Sequence, residues 1–173
     1  MFRAYRAHSN KVCAPASPTF SRPLIECPSL GPWALGLTVM RGFIYRRRVQ
    51  FYETDLAGIV HFSWYPRYME EAEHAMWRAA GLSIKPAGMD LGFARVSVSV
   101  EFHAPLYFEE EFDVEVRIES ISRRSIRYAC VISRGDVRIA SGTMAAVCVQ
   151  SRPGEPFKAV EIPEEIRTKL EQQ

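Results

Sequence analysis

Asp55 is the residue in this chain whose neighbours best suit chemistry. It opens an acidic tight turn, Asp55-Leu56-Ala57-Gly58, and the apolar step Ile59-Val60 leads from that turn toward a helix pattern beginning after Ser63. The first amides of a helix have no acceptor within the helix and carry partial positive charge. A carboxylate delivered beside them can activate water or attack, while the amides receive charge developing on a carbonyl oxygen. The plainer alternative is an aspartate that only caps its own turn.

The helix pattern runs to Gly81. With Ala72 at the centre of a helical wheel, Tyr65, Tyr68, Met69, Ala75, Met76 and Ala79 share one stripe, and Arg67, Glu70, His74 and Arg78 lie opposite. Ser63 suits the N-cap, Pro66 is tolerated in a first turn, and Gly81 stands where a left-handed residue ends a helix. Glu70, Glu71 and Glu73 spread over more than half a turn, which predicts a solvated acidic face. Trp77 falls on the polar side, where a large aromatic predicts a subunit contact or packing from a terminal segment.

The remaining elements read as sheet. Phe43 to Tyr52 is a β-rich run whose Arg46, Arg47 and Arg48 point to alternating faces, so they cannot serve one ligand together and read as a solvated edge. Pro86, Gly88 and Gly92 mark a loop after the helix. Val96, Val98, Val100 and Phe102 then alternate with polar residues, as do Phe112, Val114, Val116 and Ile118, and next Ile126, Tyr128, Cys130 and Ile132. Between the first two of these runs, Pro105 interrupts the ladder, and the nearby His103 reads as a turn histidine. Arg134-Gly135-Asp136 predicts a hairpin turn into a long strand, Val137 to Val149, where Ser141-Gly142-Thr143 predicts a bulge or a close backbone approach. One strand, one long helix and four further strands predict an α+β fold in which a sheet covers the helix stripe. Pro163-Glu164-Glu165 starts a helix pattern over 162–170 that predicts a short surface helix.

At 173 residues, nearly half of them hydrophobic, one domain is expected. Residues 1–39 carry five prolines and a charge surplus of +3, so of the net +2 the remainder of the chain holds −1. That composition predicts a disordered extension, and Met40 reads as an alternative initiator. The expected division is 1–39 as extension, 40–155 as the domain and 156–173 as a C-terminal tail with a short helix. A near-neutral body without a basic stripe excludes a nucleic-acid footprint, and no apolar run reaches the ~20 residues of a membrane span. Cys13, Cys27, Cys130 and Cys148 lack CxxC spacing and read as reduced residues, with a Cys130–Cys148 disulfide open only if strand register allows. His8, His61, His74 and His103 have no ligand spacing with cysteines or carboxylates, so no metal is expected. The expected location is cytoplasmic.

The segment Asp55-Leu-Ala-Gly58-Ile-Val60, followed by Tyr65 and the helix MEEAEHAMWRAAGL, resembles the acyl-CoA thioesterases of the 4-hydroxybenzoyl-CoA thioesterase and YbgC-like family. The likeness extends more loosely to about Val149 and leaves 1–39 uncovered. It implies a hotdog fold, with a curved antiparallel sheet wrapped around one long central helix, assembled as a homodimer or homotetramer with sites at subunit junctions. It also implies Asp55 as nucleophile or general base, and a backbone N–H oxyanion donor at Phe62. Gly58, Ile59, Val60 and Tyr65 would border the acyl group, and Arg123, Arg124 and Ser125 would meet the coenzyme A phosphates, where arginine's planar donors suit two oxygens at once. Many YbgC-like relatives have Tyr-His where this chain has His61-Phe62, and Asn where it has Trp64. His61 then either borders the pocket beside Asp55 or is structural, and Trp64 either narrows the pocket or packs at a subunit contact. No cofactor is implied, since coenzyme A belongs to the substrate. A non-catalytic acyl-CoA-binding module is the alternative of a different class. A hotdog hydratase or dehydratase is weaker, because its Asp and His pair is not recognisable.

Overall fold

The computed structural model describes residues 42–150, 152 and 154–173; the extension expected over 1–39 and the initiator reading of Met40 lie outside them. The chain forms β1 (Phe43–Arg48), a single 3-10 turn (Phe51–Glu53), α1 (Trp64–Ala79), β2 (Leu91–Phe102), β3 (Glu111–Ile121), β4 (Ser125–Arg134), β5 (Val137–Gln150), β6 (Lys158–Ala159) and α2 (Glu164–Glu171). The sheet runs β1-β3-β4-β5-β2, all antiparallel, and β6 pairs with β5 beyond the start of β4. This curved antiparallel sheet with one long helix is the hotdog layout that the resemblance implies. No described helix is long and apolar enough to cross a membrane.

Alternation dictates the core in β3 and β4. It does not in β2, where the half-buried face expected of Val96, Val98, Val100 and Phe102 is exposed at Val96, Val98 and Phe102 because β2 is an outer strand of the sheet. Phe112, Val114 and Val116 of β3 and Ile126, Tyr128, Cys130 and Ile132 of β4 are all buried against the helix side. The β4–β5 hairpin closes on two residues, Gly135 and Asp136, and Gly135 takes φ +56, which the tight turn requires. The first strand ends at Arg48, earlier than its β-rich run suggests, because Phe51–Glu53 coils into the 3-10 turn. The close approach expected near Gly142 is present, since a Cβ there would collide with the Ser99 carbonyl oxygen, whereas the sheet irregularities fall elsewhere, at Arg95/Ser97, Ile118/Ser120 and Ile132/Ser133. Cys130 lies opposite Gly142 and Cys148 opposite Phe93, so the two thiols sit roughly 20 Å apart along β5 and both are free. The disulfide left open by the sequence does not form.

Helix α1 begins after Ser63, yet that side chain makes no capping bond; its hydroxyl meets His61 Nδ1 at 2.9 Å instead. At the other end Gly81 has φ +67, Leu82 N–H donates to Trp77 O and Gly81 N–H to Arg78 O, the paired bonds of a Schellman ending. The buried face is rotated from the wheel: Ala79 is exposed, while Glu73 and Trp77 are buried with Tyr65, Tyr68, Met69, Ala72 and Met76. Partners distant in sequence cause the rotation. Arg95 neutralises Glu73, and Trp77 packs edge-on against Phe93 with its N–H on the Tyr128 hydroxyl. Glu73 is therefore not on a solvated face, and Trp77 is core within one chain.

The arginine run divides likewise. Arg46 and Arg48 are exposed and paired with Asp113 and Glu111, but Arg47 turns inward with Phe43 and Tyr45 and binds Glu53 at 2.6 Å. A solvated edge describes two of the three. The C-terminal helix is not a surface helix as its sequence suggests: Ile162, Ile166 and Leu170 are buried in the same core, so α2 closes one end of it against β3.

Candidate active site

The Asp55 turn is held from inside and from both flanks. Its N–H donates to Ile59 O at 2.9 Å, Gly58 N–H returns to Asp55 O at 2.9 Å, and Gly58 adopts φ +76 to close the loop. Thr54 bridges to Val60 and Ile59 to Tyr107, while Val60 N–H reaches Leu106 O at 2.9 Å. The connection between β2 and β3 thus backs the loop on one side and Glu53 backs it on the other.

One oxygen of the Asp55 carboxylate, Oδ1, accepts the Ala57 N–H at 2.8 Å. The capping role is real, and it leaves Oδ2 without a partner among the described residues. Seven residues after Asp55, the Phe62 N–H has no acceptor among the described residues, whereas His61 N–H donates to Glu53 O and Trp64 N–H to His61 O. Asp55 and Phe62 line one open groove of about 550 Å³ with Ile59, Val60, Tyr65, Phe102, His103, Ala104 and Pro105. Its walls are largely aromatic and apolar, and burial pushes the Tyr65 hydroxyl above its ordinary value, keeping it protonated.

Other expected residues fall elsewhere. His61 is not among the groove residues; its ring bonds Ser63 and packs on Phe62 with centroids 4.4 Å apart. Trp64 is also outside the groove, lying edge-on to Tyr52 at 5.4 Å. Gly58 shapes the turn without lining the groove. Arg123, Arg124 and Ser125 occupy the β3–β4 turn, where Arg123 is paired with Glu161 and the Ser125 hydroxyl meets Ser122 at 2.7 Å. Within one chain that turn and the groove are at opposite ends of the sheet, because Ser125 faces Val147 while Phe102 faces Ala140, roughly 20 Å along β5. A single protomer does not bring the basic step to Asp55.

Sequence reasoning missed two residues here. His103 borders the groove, with Nε2 held 2.8 Å from the Ser141 hydroxyl; its place at a strand end just before a proline was the available signal. Glu53 is fully buried behind the turn, and nothing in its local pattern, between Tyr52 and Thr54, marks it as core.

The groove lies on a hotdog layer, the architecture of the thioesterase-like proteins that this chain resembles. The chain belongs to the thioesterase-like superfamily, which matches residues 49–170. A protein of Aquifex aeolicus, described only provisionally as an esterase, is 36% identical over 125 residues, covering 72% of this chain and 94% of the relative. A crystal structure from the same organism, 36% identical, superposes with TM-score 0.68 over 74% of this chain and 98% of its own. A structure of a gentisyl-coenzyme A thioesterase is 26% identical, with TM-score 0.64 over 73% of this chain and 98% of its own. With homologues named as thioesterases, the enzyme class is thioester hydrolase.

Proposed function

We propose that this protein hydrolyses an acyl-CoA thioester in the Asp55 groove. The observation that carries the reading is the pairing, on one aromatic wall, of a carboxylate with a free oxygen and a backbone N–H with no acceptor among the described residues. The thioester carbonyl oxygen would receive the Phe62 N–H as it gains charge. Asp55 Oδ2 would take a proton from water as that water bonds to the carbonyl carbon. The C–S bond then breaks and the sulfur leaves with the proton, giving a carboxylic acid and coenzyme A. In the nucleophilic variant Oδ2 itself bonds to the carbon and the C–S bond breaks to release coenzyme A as thiolate. Water then cleaves the resulting anhydride, freeing the acid, restoring the Asp55 carboxylate and supplying the proton that the thiolate takes up.

A homodimer through the β2 edge belongs to this reading. The outer edge of β2 has no strand partner among the described residues, and Val96, Val98 and Phe102 are 61, 41 and 53% exposed. Long apolar edges invite pairing. If two β2 strands pair antiparallel about a two-fold axis, the Leu91 end of one meets the Phe102 end of the other. The partner subunit's Arg124 would then approach this chain's groove, as the phosphates of coenzyme A need.

Release of free thiol from acetyl-, octanoyl- and benzoyl-CoA tests the proposal. Saturable turnover of at least one ester is expected. Saturable binding with no turnover would make the protein an acyl-CoA-binding module.

A further inference from the structure

Glu53 lies two residues before Asp55 and is completely buried, yet no step of the proposed hydrolysis uses it. Its carboxylate is held from three places: Oε2 accepts from the Tyr68 hydroxyl of α1 at 2.9 Å and the Gln50 N–H at 2.7 Å, and Oε1 lies 2.6 Å from the Arg47 guanidinium of β1. The Arg47 contact is an ion pair rather than a directed hydrogen bond. Arg47 in turn pairs with Glu71 at 3.1 Å and lies over the Tyr68 ring at 4.6 Å. Leaving any member of such a buried set unpartnered is costly, so Glu53 has little freedom to rotate or slide.

The same residue holds the site through its backbone. Its carbonyl accepts the His61 N–H at 2.9 Å, immediately before the Phe62 amide, and the adjoining Thr54–Val60 bridge ties the two ends of the Asp55 loop together. An apolar residue could fill the space but could neither accept from Tyr68 and Gln50 nor balance the Arg47 charge. Both the carboxylate that would attack and the amide that would receive charge hang from this anchored residue.

We infer that Glu53 is a positioning residue, which fixes the Phe62 N–H relative to the Asp55 carboxylate by tying the ends of their loop to β1 and α1. The inference rests on the reading of the groove as a thioester-hydrolysing site. Glu73 supplies an internal comparison: it is equally buried and ion-paired to Arg95, but it has no bond to the Asp55 loop.

The test uses the full chain and whichever of acetyl-, octanoyl- or benzoyl-CoA the wild type turns over fastest. Steady-state kinetics and urea melts are compared for Glu53→Gln, Tyr68→Phe and Glu73→Gln, with Asp55→Asn alongside. Misplacing reacting groups by a fraction of an ångström predicts a loss of about tenfold in kcat for Glu53→Gln and about threefold for Tyr68→Phe, with KM within about twofold. Glu73→Gln is expected to lose stability and keep its kcat. If turnover depends on Asp55 while Glu53→Gln and Tyr68→Phe keep wild-type kcat, the inference is overturned and the hydrolase reading stands. If Glu53→Gln does not fold, Tyr68→Phe decides alone. Absence of Asp55-dependent turnover overturns both.

Discussion

Trp77 donates its indole N–H to the Tyr128 hydroxyl at 3.0 Å, and neither side chain reaches solvent. The bond crosses from α1 to β4 and locks the rotation of the helix on the sheet. Burial, reinforced by the nearby Glu73 charge, raises the Tyr128 hydroxyl above its ordinary value, so it stays protonated. Tyr128→Phe would leave the indole N–H buried without an acceptor. The expected cost is about 1–3 kcal/mol, read from urea denaturation; an unchanged midpoint would mean that water replaces the hydroxyl.

That pair also marks where sequence reading stopped. Alternation alone identified the buried faces of β3 and β4, and the helix ends followed from Ser63 and Gly81. The rotation of α1 did not follow, because Glu73 and Trp77 owe their burial to Arg95 and Tyr128, which are 22 and 51 residues away. Strand order was equally hidden: β1 joins β3 across the intervening helix, and β2 pairs with β5 rather than with its neighbour in sequence. At the candidate site, the Asp55 turn and the helix start were legible as local features, whereas the Phe62 amide was singled out by the family resemblance; Asp55 and Phe62 line one groove. Glu53 and His103 were not legible, since each acquires its place from contacts made only after folding.

Glu110 joins the segment behind the Asp55 loop to β4. Partial burial alone would raise its carboxyl, but hydrogen bonds from Arg134 and from the Tyr107 N–H, with the Arg134 charge, outweigh that and hold it below the usual range. A depressed value in the folded state means stability present above the unfolded value near 4.5 and lost as pH falls through the lower folded one. The Tm advantage of wild type over Glu110→Gln should be full at neutral pH and shrink below about pH 4.5. An advantage independent of pH down to 2 would remove the carboxylate's charge from the account.

Burial pushes the Cys130 thiol up to about 12, aided by the Glu73 charge, and it raises that of Cys148. Neither should react with iodoacetamide at pH 8 in the folded protein, and both should react in 6 M guanidinium. Peptide mapping by mass spectrometry separates them from Cys13 and Cys27. Native labelling at Cys130 would show that β4 opens readily.

The proposed homodimer rests on the exposed β2 edge. Val98→Lys puts a charge on that edge and should convert a dimer to monomers in light-scattering chromatography, with turnover lost if the partner completes the coenzyme A site. A variant that stays dimeric would direct attention to another face.

The free oxygen of Asp55 is the base or nucleophile of the proposed hydrolysis. Replacing Asp55 by Asn keeps an acceptor for the Ala57 N–H while removing the base or nucleophile. The decisive measurement is kcat for wild type and Asp55→Asn on the best CoA ester. A fall of about 10²–10⁴-fold with the fold intact is predicted, and equal rates for the two proteins would contradict the account.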